Sequence, residues 1–378
     1  MSDALRVGGF LAPVFAAAAV GTAFLPAFLV TRGLDAASIG TLLAVGTVVR
    51  MLAVPVWGVM ADRSGRTPMV LMAGCLVAAA AAAALLPASG FWALLVLAAV
   101  QGLGAAALMP LADALSLGLA SRGRLDYGRV RGSASAVFTA ATAAAGALIQ
   151  AFGPRVVPIL SVVCYGVAAG IARLLPGDVA GRRAGFGGIL GLLGNRAFLL
   201  TVAASACVQG AHGALYVLGT LHWQAHGISS STIGLLWSEA VVAETLFFVF
   251  GRAFAERLGP AGMTAIAAGS AVLRWTVTGL STDLSWLIAV QWLHGATFGM
   301  QHLSAMQMLS RHIPPERAGA AQTLHAALGG ALPVGIASWL AGWIYDGSGS
   351  AFVLMAGLGG LGLLFTPGLY RVTAAVRR

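Results

Sequence analysis

Long apolar stretches separated by short polar breaks run through the whole chain. A membrane-spanning helix needs roughly 20 mainly apolar residues, and twelve segments meet this requirement. Charges and turn residues mark the breaks between them, as at Asp62–Arg66 and Pro314–Pro315. The predicted spans are 7–30, 38–61, 68–86, 91–119, 128–152, 155–175, 197–222, 231–255, 261–280, 284–309, 318–344 and 351–370. The pattern predicts an all-α membrane protein whose first span is retained, because it is too long for a signal-peptide core.

Composition supports this interpretation and narrows the chemistry. Of the 378 residues, 59% are hydrophobic and 9% are charged, with a mean hydropathy of +0.89, whereas soluble domains carry about 25% charged residues. All 22 basic residues are arginine. Without lysine the chain can form neither a Walker A phosphate loop nor a Schiff base. An ATP site of its own, retinal chemistry and pyridoxal chemistry are therefore excluded, and we expect no enzyme activity and no cofactor.

The arginines also predict the orientation in the membrane. If the N-terminus is cytoplasmic, eighteen of the 22 arginines fall in cytoplasmic segments, two (Arg32 and Arg155) lie outside, and two (Arg50 and Arg274) lie within spans. The positive-inside rule demands this asymmetry. The net charge of +10 is therefore mainly a topology signal, and we expect no nucleic-acid partner. The expected location is the bacterial inner membrane, with several spans and both termini in the cytoplasm.

The two halves of the chain resemble each other. An offset of 194 residues aligns 38–40 with 232–234, 62–65 with 256–259, and Arg50 with Glu244. Two parallel six-span repeats are typical of secondary transporters, whose substrate sites lie between the repeats near the bilayer midplane. We therefore predict two pseudo-symmetric six-helix bundles, 1–176 and 196–378, joined by a cytoplasmic linker over 177–195.

The segment 58–66, Gly-Val-Met-Ala-Asp-Arg-Ser-Gly-Arg, resembles the signature loop between spans 2 and 3 of the major facilitator superfamily. In this sequence its motif residues are Gly58, Asp62, Arg63, Gly65 and Arg66. A glycine in such a loop allows close approach of helices. The acid and the arginines can pair with neighbouring helix ends and latch one conformation.

Further motifs resemble the phenylpropionate permease group, which is akin to lactose permease. They are Pro110–Leu115, Asp126–Arg131, Gln209–His212, Trp223–Ala225, Gly234–Trp237 followed by Glu244, Arg274–Trp275, Gln291–His294, Thr297–Phe298 and His302–Met306. The resemblance implies the major facilitator fold and proton-coupled import of a small organic acid such as 3-phenylpropionate. The expected partners are this solute, protons and membrane lipid, and we expect a monomer.

Five charged residues stand out away from the ends of predicted spans: Arg50, Asp113, Glu239, Glu244 and Arg274. Each costs at least about 2.5–3.5 kcal/mol at mid-helix, so it should face the bundle interior or a water-filled cavity. Arg50 lies twelve residues from both Ser38 and Asp62, which places it near the midplane. Either these residues form buried ion pairs that fix helix packing, or they take part in transport. Glu239 and Glu244 are five residues apart and cannot share one helix face.

Two predicted helices each carry a row of polar and aromatic residues that includes a histidine. One comprises Gln209, His212, Tyr216 and Trp223, and the other Gln291, His294, Phe298 and Gln301. We predict substrate binding by Arg50, Gln209, His212, Tyr216, Gln291 and Arg274. Proton coupling is predicted at Glu244 with His294 or His302, and at Asp113. Arg50 or Arg274 would hold a carboxylate substrate or serve as counter-ion to the protonating acid, while the alternative for each histidine is ordinary packing.

Two other classes of function are also compatible with the sequence. A sugar or nucleoside proton symporter would use the same fold with more Trp and amide contacts, and a non-transporting sensor or assembly protein would not need the midplane charges. His302 and Met306 could suit Cu(I). Methionine is, however, a common helix filler, and the similar permeases share this motif, so we expect no metal site.

Overall fold

The computed structural model describes residues 2–177 and 189–376, apart from the side chains of four residues next to its gaps. This part of the chain is helical, without a strand. It divides into two compact units, Met1–Arg183 with Gly227–Ser238, and Ala184–His226 with Glu239–Arg378. Residues 178–188 of the predicted linker and two C-terminal arginines lie outside the described residues. The predicted all-α class is confirmed.

The first unit contains seven helices in sequence. They are α1 (Asp3–Val30), α2 (Ala36–Ser64), α3 (Thr67–Leu85), α4 (Phe91–Ala106), α5 (Leu108–Ala120), α6 (Tyr127–Phe152) and α7 (Val156–Ala172). Helix α1 packs on α6 and α7, and α3 packs on α4 and α7. Glycine permits the closest of these crossings, since a Cβ at Gly104 would lie 2.6 Å from the carbonyl oxygen of Gly74.

In the second unit, which takes the latter part of α11, several helices are interrupted by π turns. Its elements are α8 (Ile189–Leu193), α9 (Arg196–Gly210), a π turn (Leu215–Gly219), α10 (Thr220–Ala225), α11 (Ser230–Phe250), α12 (Arg252–Leu280), α13 (Leu284–Gln291), a π turn (Gly295–Met300), α14 (Gln301–His312), α15 (Ala318–His325), a π turn (Ala326–Ala331), α16 (Leu332–Ile344), α17 (Ser350–Leu361) and α18 (Thr366–Val376). Helix α12 packs along α17, and α9 contacts α14, α16 and α17.

The first part of α11 belongs to the first unit because it packs on α6. A Cβ at Gly146 would lie 2.5 Å from the carbonyl oxygen of Ser230, and one at Gly234 would lie 2.8 Å from that of Thr142. The Ser238 hydroxyl also donates to the carbonyl of Thr139 at 2.8 Å. Paired glycines therefore bring two membrane helices into backbone contact.

Nine helical segments of the described chain are long and apolar enough to cross a membrane. They coincide with nine of the twelve predicted spans. The predicted span 155–175 falls on the shorter apolar helix α7, 261–280 falls in α12, and 284–309 covers α13, a π turn and α14. Large apolar side chains face outward, with Trp92 75% and Phe250 75% exposed. Such a surface suits lipid rather than water.

Local signals account for most of the helix ends. Asp35 caps α2 by accepting a hydrogen bond from the backbone of Ser38 at 2.8 Å, and Gly65 ends the same helix with φ of 60°. The predicted span 231–255 ends earlier, at Phe250, because the chain breaks at Gly251 before α12 begins. Helix α12 is itself non-helical at Gly259, directly before Pro260.

Candidate functional site

Arg274 on α12 is the centre of a polar cluster inside the second unit. Its side chain is fully buried, at 0% exposure. Its Nη2 donates to the amide oxygen of Gln291 at 2.7 Å, and its Nη1 donates to the hydroxyl of Thr297 at 3.0 Å. The guanidinium also lies 4.5 Å from the ring of Trp275. Within the described part of the chain no carboxylate pairs directly with this cation.

His294 connects Arg274 to an acid. Arg274 Nη1 lies 2.9 Å from His294 Nδ1, and His294 Nε2 lies 3.5 Å from Glu244 Oε2. A guanidinium can only donate hydrogen bonds, so Nδ1 must accept and the proton of the neutral ring is on Nε2. The protonated Nε2 is the ring nitrogen that lies within 3.5 Å of the Glu244 carboxylate. The three residues therefore form one continuous link, Arg274–His294–Glu244.

His212 on the segment after α9 lies on the other side of the guanidinium. Its Nδ1 is 3.2 Å from the carbonyl oxygens of Val208 and Gln209, which accept only, so Nδ1 carries the proton. Its Nε2 is then an acceptor, 3.2 Å from the Thr297 hydroxyl and 3.4 Å from Arg274 Nη1. Two neutral imidazoles thus solvate the same buried cation.

Aromatic rings enclose this cluster. The ring of His212 stacks on Tyr216 at 6.3 Å and meets Trp275 edge-on at 5.1 Å. The ring of His294 stacks on Phe298 at 5.3 Å. Low-polarity walls strengthen the hydrogen bonds inside the cluster, because they keep the local dielectric constant low.

Two π turns and one glycine position these groups. Tyr216 lies in the π turn Leu215–Gly219, and Thr297 lies in Gly295–Met300. Such turns are frequent at functional sites because the extra residue rotates the following side chains. A Cβ at Gly295 would lie 2.9 Å from the carbonyl oxygen of Ala243. Glycine therefore lets α11 approach closely enough for Glu244 to reach His294.

The remaining acids and His302 lie in different surroundings. His302 on α14 is exposed, and its ring lies 6.4 Å from that of Phe248. Glu239 is partly exposed and has a hydrogen bond with Trp292. Gln209, predicted to bind substrate, contributes its backbone carbonyl to His212. The second unit thus brings together Gln209, His212, Tyr216, Glu244, Arg274, Gln291 and His294 of the predicted residues.

Asp113 belongs to a separate site in the first unit. Its Oδ1 lies 3.8 Å from Nε of Arg131 on α6, and both side chains are about one third exposed. The Arg131 guanidinium also lies 4.5 Å from the ring of Phe15 on α1. Asp113 is therefore one half of a partly solvated ion pair that joins α5 to α6.

Arg50 on α2 lacks the protein contacts that surround Arg274. It is exposed on α2, and it has no hydrogen bond or ion pair with another residue of the described chain. It interacts electrostatically with the buried Tyr165 on α7.

The signature loop is exposed at Asp62, Arg63 and Arg66. Arg66 contacts the sulfur of Met69 at 3.8 Å, and Gly65 supplies the left-handed helix end. The close approach expected of a glycine is absent at Gly58, where an added Cβ would meet nothing within 4 Å. The positive φ explains the glycine at 65, and close packing of helices does not explain the glycine at 58.

Sequence reasoning missed two contacts of the second unit: Thr297 as a partner of Arg274, and the buried pair Ser205 and His325, 2.9 Å apart. Ser205 had a detectable signal, since it lies four residues before Gln209 and seven before His212 on the same helical face. His325 had none, because its partner is 120 residues away.

Apolar spans and buried charges that are solvated by neutral groups define a polytopic membrane transporter. The chain belongs to the MFS_1 like family, whose model matches residues 5–356. This confirms the predicted superfamily, and the similar proteins named below are transporters rather than enzymes. A solute carried by such a transporter is a small molecule.

Two curated relatives and one solved structure are informative. The chain is 34% identical over 245 residues to the probable 3-phenylpropionic acid transporter of Escherichia coli. The alignment covers 63% of this chain and 64% of the relative, which is just under two thirds of the relative's length. It is 26% identical to the maltose permease of Geobacillus stearothermophilus over 83% of this chain and 80% of that one. The crystal structure of nucleoside transporter NupG matches with a TM-score of 0.82 at 15% identity, covering 98% and 99% of the two chains, which shows the fold.

Proposed function

We propose that this protein is a proton-coupled symporter that imports a small aromatic acid, such as 3-phenylpropionate, by alternating access. The observation that carries the proposal is the link Arg274–His294–Glu244, in which a partly buried carboxylate faces a buried cation through one imidazole. Protonating Glu244 would remove one charge of this arrangement. An acid that can be neutral or charged at little structural cost is what coupling to protons requires.

Role assignments follow from how each cation is satisfied. Arg274 donates to protein groups through Nη1 and Nη2, and only its buried Nε has no hydrogen-bond partner in the described chain, which supports counter-ion rather than substrate contact. Arg50 is exposed and not compensated, which supports binding of the substrate carboxylate by charge-assisted hydrogen bonds. Asp113, with its partly solvated arginine partner, is a second proposed titrating site in the other unit.

The resemblance to the Escherichia coli relative supports the choice of solute. The protein would act as a monomer in the lipid of the bacterial inner membrane, with both termini in the cytoplasm and a linker over 177–195 between bundles 1–176 and 196–378. A neutral polyhydroxylated solute, as for a sugar or nucleoside symporter, is the second candidate, favoured by the similarity to a maltose permease. Competition of uptake by carboxylates and by their neutral amides separates the two.

The test of coupling is uptake by purified protein in liposomes. An imposed inward proton gradient should drive accumulation of the labelled acid, and Glu244→Gln should abolish accumulation while exchange continues. Glu239→Gln is the matched control on the same helix and should accumulate normally. Failure of the wild-type protein to accumulate any aromatic acid under the gradient would refute the proposal.

A further inference from the structure

Thr297, which is not among the predicted binding residues, connects Arg274 to α9. Arg274 Nη1 donates to the Thr297 hydroxyl at 3.0 Å, and this hydroxyl lies 3.2 Å from His212 Nε2. The proton of the His212 ring is on Nδ1, which faces two backbone carbonyl oxygens, so Nε2 must accept. The Thr297 hydroxyl therefore accepts from Arg274 and donates to His212. All three side chains are at most 1% exposed.

The Thr297 hydroxyl departs from the usual behaviour of a threonine in a helix. Three other threonines of the second unit, Thr201, Thr245 and Thr278, donate to the carbonyl four residues earlier in their own helix, at 2.7–2.9 Å. In the described chain Thr297 makes no such bond, although its backbone N–H donates to the carbonyl of Leu293 at 2.8 Å. The π turn Gly295–Met300 contains Thr297. Its hydroxyl is thus committed to contacts between helices.

Two arms leave the same nitrogen of Arg274 and end differently. One passes through His294, at 2.9 Å, and ends 3.5 Å further on at the carboxylate of Glu244. The other passes through Thr297, at 3.0 Å, and then His212, and it ends at two backbone carbonyls of α9. The first arm ends at a group that can titrate, whereas the second ends at backbone that cannot. The second arm is therefore a fixed anchor for the guanidinium.

The distance of the guanidinium from Glu244 decides how readily this acid binds a proton. The titratable or charged groups that face Glu244 within the described second unit are His294, His302 on α14, Tyr216 in the π turn after α9, and Arg274 beyond His294. Of these, Arg274 keeps its positive charge throughout the pH range of a transport assay. A nearby positive charge favours the ionised acid, and more strongly at shorter distance.

We propose that Thr297 is a positioning residue for proton coupling, which holds the Arg274 guanidinium to His212 and α9 and thereby keeps it from closing on Glu244. This inference rests on the proposed proton coupling at Glu244. Thr297 itself binds neither the proton nor the substrate. Without its hydroxyl, Nη1 loses one of its two acceptors at 3.0 Å or less, and the guanidinium is free to move along the remaining arm toward the acid.

The experiment follows two midpoints as a function of pH in the full-length protein. Infrared spectroscopy in detergent measures protonation of the carboxyl group whose band Glu244→Gln removes, and liposome uptake at a constant pH difference measures coupling. Thr297→Val keeps the branched side chain and removes the hydroxyl. Both midpoints should move to lower pH by about one unit, which is a tenfold change in proton affinity. Thr297→Ser keeps the hydroxyl and should retain the wild-type midpoints.

Thr201→Val is the matched control, since it removes a buried hydroxyl that bonds only its own helix in the described chain. It should leave both midpoints unchanged. The inference is overturned if Thr297→Val lowers the transport rate without moving the infrared midpoint, if Thr201→Val moves it equally, or if Thr297→Ser fails to retain it. Should Thr297→Val not fold, Thr297→Cys, a weaker acceptor, should give a smaller shift in the same direction, and no shift would again overturn the inference.

The two readouts separate this inference from the proposed function. A shifted infrared midpoint in Thr297→Val, combined with no proton-driven accumulation by the wild-type protein, would support the role of Thr297 and reject coupled transport. Normal accumulation by the wild-type protein with an unshifted midpoint in Thr297→Val would reject the role of Thr297 and leave coupling at Glu244 intact.

Discussion

The link between Arg274 and Glu244 makes a quantitative prediction about stability. Arg274→Gln removes a buried cation, and Glu244→Gln removes the acid on the other side of His294. If the two charges stabilise each other through the shared imidazole, the double variant should lose less free energy of unfolding than the sum of the single variants. The size of this difference follows from the geometry.

Arg274 Nη1 lies 2.9 Å from one nitrogen of His294, and Glu244 Oε2 lies 3.5 Å from the other. With the width of the ring added, the charges are roughly 8 Å apart, and at an effective dielectric constant near 20 their attraction is about 2 kcal/mol. The Arg274 variant should also lose the bond to Gln291 at 2.7 Å. Charge-assisted bonds of this kind contribute about 1.5–3 kcal/mol each.

The assay is a double-mutant cycle on the free energy of unfolding of purified protein in detergent. We expect a coupling energy of about 2 kcal/mol between Arg274 and Glu244. The control cycle pairs Arg274→Gln with Glu239→Gln, where we expect additivity within about 0.5 kcal/mol. Additivity of the Arg274 and Glu244 variants within the same range would refute the link.

Three further predictions concern the first unit. Hydrogen bonds from Ser38 hold the pKa of the Asp35 carboxyl below its ordinary value. The stabilisation from this cap is therefore present above the unfolded pKa of about 3.9 and is lost as the pH falls through the folded pKa. Asp35→Ala should cost about 0.5–2 kcal/mol in thermal unfolding at neutral pH, and Asp35→Asn, which caps without titrating, should abolish the acid dependence of stability. Gly146→Ala should lower the unfolding temperature by overpacking α6 against α11, at about 1–3 kcal/mol, whereas Gly132→Ala on the same helix meets nothing within 4 Å and should be neutral. Asp113→Asn should cost under about 1 kcal/mol because its ion pair is partly solvated, yet it should reduce uphill uptake in liposomes; unchanged uptake would remove Asp113 from the coupling proposal.

Much of the fold could be predicted because lipid imposes strict rules on a chain. A helix must be apolar for roughly 20 residues to span a bilayer, so the spans are legible, and most polar breaks such as Asp62–Arg66 coincide with helix ends. The predicted span boundaries were wrong where the length of an apolar segment was the only guide. The span predicted to end at residue 255 stops at Phe250, and the π turns after His294 and His325 leave no clear pattern in the sequence.

The candidate site was predicted as a set of residues but not as a set of contacts. Arg50, Glu244 and Arg274 stood out in the sequence because an ionised side chain inside a membrane helix is costly and therefore rare. Their surroundings could not be read in the same way. Arg274 is buried and contacts Gln291 and His294, whereas Arg50 is exposed, although the sequence places both within apolar spans.

The sequence by itself determined the membrane class, the place of most apolar spans and which residues carry charge into them, because each depends on local composition and on the cost of burying a charge. Only the tertiary structure decided that Glu244 reaches Arg274 through His294, that Ser205 meets His325, and that Gly146 rather than Gly58 serves a close helix crossing. These contacts join residues far apart in the chain, and they depend on how the helices pack and where π turns rotate them, which no local pattern encodes.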